Sequence, residues 1–177
     1  MNPLDIINKY CTNEKQLHIL LVHSRAVADK ALEIARRRAI QDVDELFIEE
    51  AALLHDIGIV SVNAPAIECY GEEPYIRHGI LGAEILRNEG LERHALVCER
   101  HTGTGLTLQQ IVEQGLPLPH CDMQPISIEE QIICFADKFF SKTRLETEKT
   151  VEQARRSLEK FGAEGLEKFD KWCGMFL

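Results

Sequence analysis

Asp44-Glu45-Leu46-Phe47-Ile48-Glu49-Glu50-Ala51-Ala52-Leu53-Leu54-His55-Asp56-Ile57-Gly58 is the stretch whose pattern decides the fold class. Asp44 suits a helix N-cap, because its side chain can accept a bond from an otherwise orphaned amide. Ile48, Ala51, Ala52 and His55 then recur at helical spacing, and Gly58 ends the run. Upstream, Asn13 caps a long helix to about Arg38 with the stripe Leu20, His23, Val27, Ala31 and Ile34. Downstream, a loop from about Ile59 to Tyr75 leads to a helix from about Arg77 to Glu89. That helix carries His78, Gly82, Ile85 and Leu86 on one side and stops at Gly90. A short helix runs from Glu92 to His101. Residues 102–126 are the least regular stretch, with a short helix predicted over Leu108 to Gln114. Ser127-Ile128-Glu129-Glu130 is a capping box in front of an apolar run with Ile133, Asp137 and Phe140 on one stripe.

Amphipathic helices at about 146–173 complete the chain, with the stripe Val151, Ala154, Leu158 and Phe161. Opposite it, Glu152/Arg156, Glu164/Lys168 and Glu167/Lys171 are spaced as favourable pairs. The six prolines all fall outside the periodic segments, and no alternating run is long enough to read as a strand. The expectation is an all-α protein folded as one domain over residues 1–177.

The chain has 177 residues, 20 Lys and Arg against 29 Asp and Glu, and a net charge of −9 with histidines neutral. That balance argues against a nucleic-acid duplex or an anionic membrane as partner, since both need cationic surface. The six cysteines form no C-x-x-C pair and read as reduced thiols, mostly core fillers. The N-terminus lacks a basic region followed by an apolar stretch. The longest unbroken apolar run, Ile132 to Ala136, is far short of the ~20 residues that cross a bilayer. A cytoplasmic location is therefore expected.

Three polar features stand where core composition would not place them. His23 lies within an apolar stripe, His55-Asp56 ends a core-facing helix, and Asp137 ends the run Ile132-Ile133-Cys134-Phe135-Ala136. A carboxylate in apolar surroundings is costly unless paired or metal-bound. Imidazole nitrogens with carboxylate oxygens suit a borderline divalent metal.

The ordered pattern His23, His55-Asp56, Asp137 resembles the HD-domain metal-dependent phosphohydrolases, and His55-Asp56-Ile57-Gly58 matches the HDIG string of many members. His78-Gly79-Ile80-Leu81-Gly82-Ala83 resembles an H-G-x-x-G-A segment of a subset of that family. His101-Thr102-Gly103 and Ala136-Asp137-Lys138 resemble two more of its segments. The order looks like the six-ligand, two-metal branch that includes bacterial diadenosine tetraphosphate hydrolases. The resemblance covers about residues 15–145 and implies an HD-type helical bundle with the metal site in its core. It implies that His23, His55 and Asp137 bind one metal and that His78 and His101 bind the second. Asp56 would bridge them as the catalytic carboxylate. Two divalent transition metals (Fe, Mn, Co, Ni or Zn) would clamp a phosphoryl group and activate a bridging hydroxide. The implied activity is hydrolysis of phosphate esters or anhydrides of a small phosphorylated, nucleotide-type substrate. After Asp137 the chain reads Lys138-Phe139-Phe140-Ser141-Lys142-Thr143-Arg144, whereas the tetraphosphate hydrolases continue with an acidic, proline-containing stretch.

Arg25, Arg77 and Lys138 adjoin proposed ligands and are candidates for phosphate contacts. Thr102 could donate its hydroxyl to substrate, and His120 could reach the substrate pocket. His94 reads as a surface residue. Two other function classes remain open from the residues: a di-iron oxygenase of HD type, and a non-catalytic nucleotide-binding module. The sequence leaves the oligomeric state undetermined.

Overall fold

Nine α-helices account for most of the described chain, which in this computed structural model is every residue except Ala39 and Gln41. They are α1 (Pro3–Tyr10), α2 (Glu14–Arg37), α3 (Glu45–Leu54), α4 (His78–Asn88), α5 (Glu92–Arg100), α6 (Leu108–Glu113), α7 (Ile128–Asp137), α8 (Val151–Ser157) and α9 (Ala163–Phe176). The caps read from sequence hold. The Asn13 side chain accepts from the Lys15 and Gln16 amides, Asp44 accepts from Phe47, and Ser127 and Glu130 close a reciprocal capping box.

Two elements depart from the sequence reading. No helix is expected before Asn13, yet α1 forms there, with Asn2 capping it and Pro3 in its first turn. The loop at 59–75 contains three very short strands: β1 (Val62–Ala64), β2 (Cys69–Tyr70) and β3 (Glu73–Pro74), in the order β2-β1-β3. β1 pairs antiparallel with β2 and parallel with β3. Strands of two or three residues are too short to show a period, so no alternation could announce them.

The core has two large parts. One joins the inner faces of α2, α3 and α7 to the C-terminal helices through Ala31, Ala52, Phe135, Phe169, Trp172 and Phe176. Phe135 sits 5.3 Å from Phe169 and 5.4 Å from Phe176, ring centre to ring centre. The other gathers α1, α4 and the turn after α3 around Ile7, Leu20, Leu54 and Ile57. His94 is buried too, edge-on to Phe47 at 4.9 Å, which corrects its reading as a surface residue. Of the three helix-surface pairs, Glu152/Arg156 forms at 3.2 Å, whereas Lys168 turns to the Thr104 carbonyl. Four cysteines are buried, Cys173 is partly covered and Cys121 is exposed, all as free thiols.

Glycine sets how closely three elements approach. A Cβ on Gly58 would lie 1.9 Å from the His78 carbonyl oxygen, and one on Gly79 would lie 2.7 Å from that of Cys98. Only hydrogen fits at either place, so the turn after α3 rests on α4, and α4 rests on α5. Those contacts bring three helix ends to one point. Arg100 on α5 donates to Glu130 on α7 at 3.0 Å and ties in a fourth. No described helix is long and apolar enough to cross a membrane.

Candidate metal centre

The six residues singled out from sequence converge where those helix ends meet. Their ligand atoms form two groups, each with all atoms within 4.8 Å of one another. One comprises His23, His55, Asp56 and Asp137, and the other Asp56, His78 and His101. Asp56 belongs to both and faces them with different oxygens. Its Oδ2 lies 3.1 Å from Nε2 of His23 and 3.1 Å from Nε2 of His55. Its Oδ1 lies 3.5 Å from Nε2 of His78 and 3.4 Å from Nε2 of His101. Asp137 Oδ1 completes the first group at 3.1 Å from His23 and 3.4 Å from His55.

Backbone carbonyls orient three of the imidazoles. His55 and His101 each follow the last residue of a helix, and His78 follows a short turn over Tyr75–Arg77. Each Nδ1 lies 2.7 Å from the carbonyl three residues earlier: Ala52, Tyr75 and Cys98. A carbonyl only accepts, so each Nδ1 carries the proton and donates it. Helix ends leave such carbonyls free, which makes them natural anchors for a ligand histidine.

The electrostatics call for cations. Burial and the neighbouring His101 pull His78 down to about 3, and burial also lowers His101. Both rings are therefore neutral with the Nδ1 protonated, and their Nε2 lone pairs face each other at 3.0 Å. Two lone pairs at that distance repel unless a cation lies against them. In the other group, burial opposes charge on His55, but the Asp56 and Asp137 carboxylates prevail and raise it to about 10. Burial would raise Asp56, but Lys142 and the imidazoles hold it well below the usual carboxylate range. His55 Nε2 and both Asp56 oxygens are buried without an aligned hydrogen bond. Nitrogen and carboxylate donors left unsatisfied in this arrangement fit two divalent transition metals.

Lys142 is the residue the sequence did not flag. Its ammonium reaches Asp56 Oδ2 at 2.6 Å and Tyr75 Oη at 3.2 Å, a monovalent cation against the shared carboxylate. Lys138 is buried beside it, and its ammonium donates to Asp137 Oδ2 at 2.7 Å and to the His101 carbonyl at 2.8 Å. It therefore braces the Asp137 carboxylate from behind.

A cavity of about 390 Å³ opens onto His78, His101 and Asp137. Its other charged lining residues are Lys138, Lys142, Lys149 and Lys160, so an acidic chain carries a cationic pocket. Thr102 lines it. So do Leu158 and Phe161 from the C-terminal segment, for which the sequence predicts no part in the site. Arg25, Arg77 and His120 are not brought to this pocket. Arg25 pairs with Glu49 at 2.8 Å on the outer surface, two residues and so about 200° around the helix from His23. Arg77 pairs with Glu73 at 2.7 Å and donates to the Pro117 carbonyl at 3.1 Å. His120 is exposed on its loop.

This helical core, with histidines and aspartates meeting at its helix ends, is of the HD type. The HD domain family matches residues 20–141, and the chain belongs to that family. An uncharacterized protein of Methanocaldococcus jannaschii is 33% identical over 159 residues, covering 89% of this chain and 85% of the relative. A tRNA (cytidine(56)-2'-O)-methyltransferase of Thermoplasma volcanium is 31% identical over 96% of this chain, but the chain spans only 45% of that protein. A protein of the same name from Picrophilus torridus is 32% identical, and 39% of it is covered. Among solved structures, the HD domain of the L. monocytogenes phosphodiesterase PgpH superposes with a TM-score of 0.55 at 16% identity, over 94% of this chain and 92% of that one. Its complex with cyclic-di-AMP gives 0.56 at 17% identity, over 96% and 92%. At such identity the likeness establishes the fold alone.

Proposed function

We propose that this protein is a metal-dependent hydrolase of phosphate esters or anhydrides, acting on a small nucleotide-type substrate. The reading rests above all on Asp56, whose two oxygens face two separate sets of ligand atoms. His23, His55 and Asp137 would hold one divalent metal and His78 and His101 the second, with Asp56 as the bridging, catalytic carboxylate. When bound, such a pair supplies charge neutralisation for a phosphoryl group and a water acidic enough to attack it at neutral pH.

The chain's own groups do the rest. The Nδ1–carbonyl bonds fix the imidazoles and aim Nε2 inward. Lys138 holds Asp137 in place. Lys142, Lys149 and Lys160 make the cavity attractive to a phosphate, and the Thr102 hydroxyl lines its approach. A cavity of about 390 Å³ takes a mononucleotide-sized group. The cyclic dinucleotide bound by the PgpH HD domain is consistent with a nucleotide-type substrate for this fold.

The test is hydrolysis by the metal-loaded protein, followed by chromatography of the products, of mononucleotides, dinucleoside polyphosphates, cyclic dinucleotides and generic phosphodiesters. Wild type should exceed His55→Ala and Asp56→Ala by at least a hundredfold on one of them. Equal rates on every substrate would refute the reading, as would oxygen uptake by the iron-loaded protein without hydrolysis of any of them.

A further inference from the structure

A second cavity, of about 360 Å³, adjoins the metal pocket. Ser141, Lys149 and Ser157 line both and form their common wall. The charged groups of the second cavity are Arg144, Lys149 and Arg156, and no described carboxylate lines it. Lys149 is held in place by its backbone, whose N–H donates to the Phe139 carbonyl at 2.7 Å just beyond the end of α7. Its half-buried ammonium reaches only the Lys138 carbonyl, at 3.5 Å. Among the described residues, neither Lys149 nor Arg144 has a carboxylate within 4.0 Å. Arg156 pairs with Glu152 at 3.2 Å, both largely exposed, and such a pair yields readily to a better partner.

Converging cations repel one another, and burial together with Lys138, Arg144 and Lys142 draws the Lys149 pKa down against the opposing pull of Asp137. An anion in the cavity would relieve that repulsion. Two guanidinium forks and an ammonium match the several oxygens of a phosphate. The net charge of −9 makes such a concentration of cations stand apart from the rest of the chain.

We propose that Arg144, Lys149 and Arg156 form a second anion subsite, which holds a further phosphate group of the substrate while the first lies at the metal centre. The substrate is thus a bisphosphate or polyphosphate rather than a monoester. This rests on the phosphohydrolase reading for the role of the first phosphate, but binding at the subsite does not require turnover.

Calorimetric titration of the metal-loaded protein tests it with two matched pairs: adenosine 5'-monophosphate against adenosine 3',5'-bisphosphate, and fructose 6-phosphate against fructose 1,6-bisphosphate. In at least one pair the bisphosphate should bind tenfold tighter or more. In the double variant Arg144→Gln/Arg156→Gln, both positions being exposed, that advantage should fall below twofold. The subsite is overturned if neither bisphosphate binds, if wild type shows less than a twofold advantage in both pairs, or if the variant keeps the wild-type advantage. A tenfold advantage without hydrolysis of any substrate would sink the hydrolase reading and leave the subsite standing.

Discussion

Substituting Gly58 by alanine adds one methyl group where the structure has no room for it. The new Cβ would lie 1.9 Å from the His78 carbonyl oxygen and 2.4 Å from the Gly82 nitrogen, against the 3.4 Å at which ordinary contact begins. The shortfall is 3.4 minus 1.9, about 1.5 Å, and both neighbours are backbone atoms of α4. No side-chain rotation relieves it, so either α4 shifts or the turn at Ile57–Ser61 unwinds. Overpacking a dense core by one methylene costs ~1–3 kcal/mol, and a backbone-on-backbone clash belongs at or above the top of that range. The expected loss is therefore about 3 kcal/mol or more, from urea unfolding with linear extrapolation. Because His78 heads the displaced helix, metal content should fall as well. Gly174→Ala is the control: its Cβ meets nothing within 4 Å, so the gain in helix propensity should leave stability equal or up to ~1 kcal/mol higher. A Gly58→Ala protein within about 0.5 kcal/mol of wild type would refute the claim that this glycine sets the approach of α4.

Three further outcomes follow from the same structure. His23→Ala and His78→Ala each remove a candidate ligand from one group, so each purified variant should hold one metal per chain where wild type holds two, by elemental analysis; a variant that loses both metals, or neither, would contradict separate sites. Trp172→Ala empties a core position shared by α9 and the HD core and should cost ~3–5 kcal/mol with a single unfolding transition, whereas two transitions would mean that the C-terminal helices fold apart. Burial lowers His94 below 6.5 in the fold despite Glu50 beside it. The unfolded state then takes up the proton first, so this histidine's contribution to stability is present above pH 6.5 and is lost as pH falls below it. His94→Gln should flatten that acid slope in unfolding measurements, and an unchanged slope would show that the ring is not shielded.

How much of this was legible in the sequence depends on how local each cause is. α2, α3 and α7 could be placed because a cap and a helical stripe lie within a few residues of each other. The candidate ligands are visible for a related reason: His23 and Asp137 interrupt apolar faces, and a buried polar group demands an explanation. α1 was missed although Asn2 and Pro3 form a start signal, because eight residues give barely two turns of stripe. Lys142 was out of reach, since its partner Asp56 is 86 residues away in the chain and no period links them. Arg25 lies near His23 in sequence but not in space, because two residues along a helix point nearly opposite ways. The role of Leu158 and Phe161 in the pocket depends on how α8 and α9 fold back across the core, which their amphipathic stripes alone do not determine.

The central claim is that one carboxylate joins two metal sites. Anomalous diffraction from crystals grown with the metal found in the purified protein measures this directly. The account requires two peaks about 3.5–4 Å apart on either side of Asp56, one among His23, His55 and Asp137 and one against His78 and His101. Density without either peak, with the Lys142 ammonium still on Asp56, would contradict it.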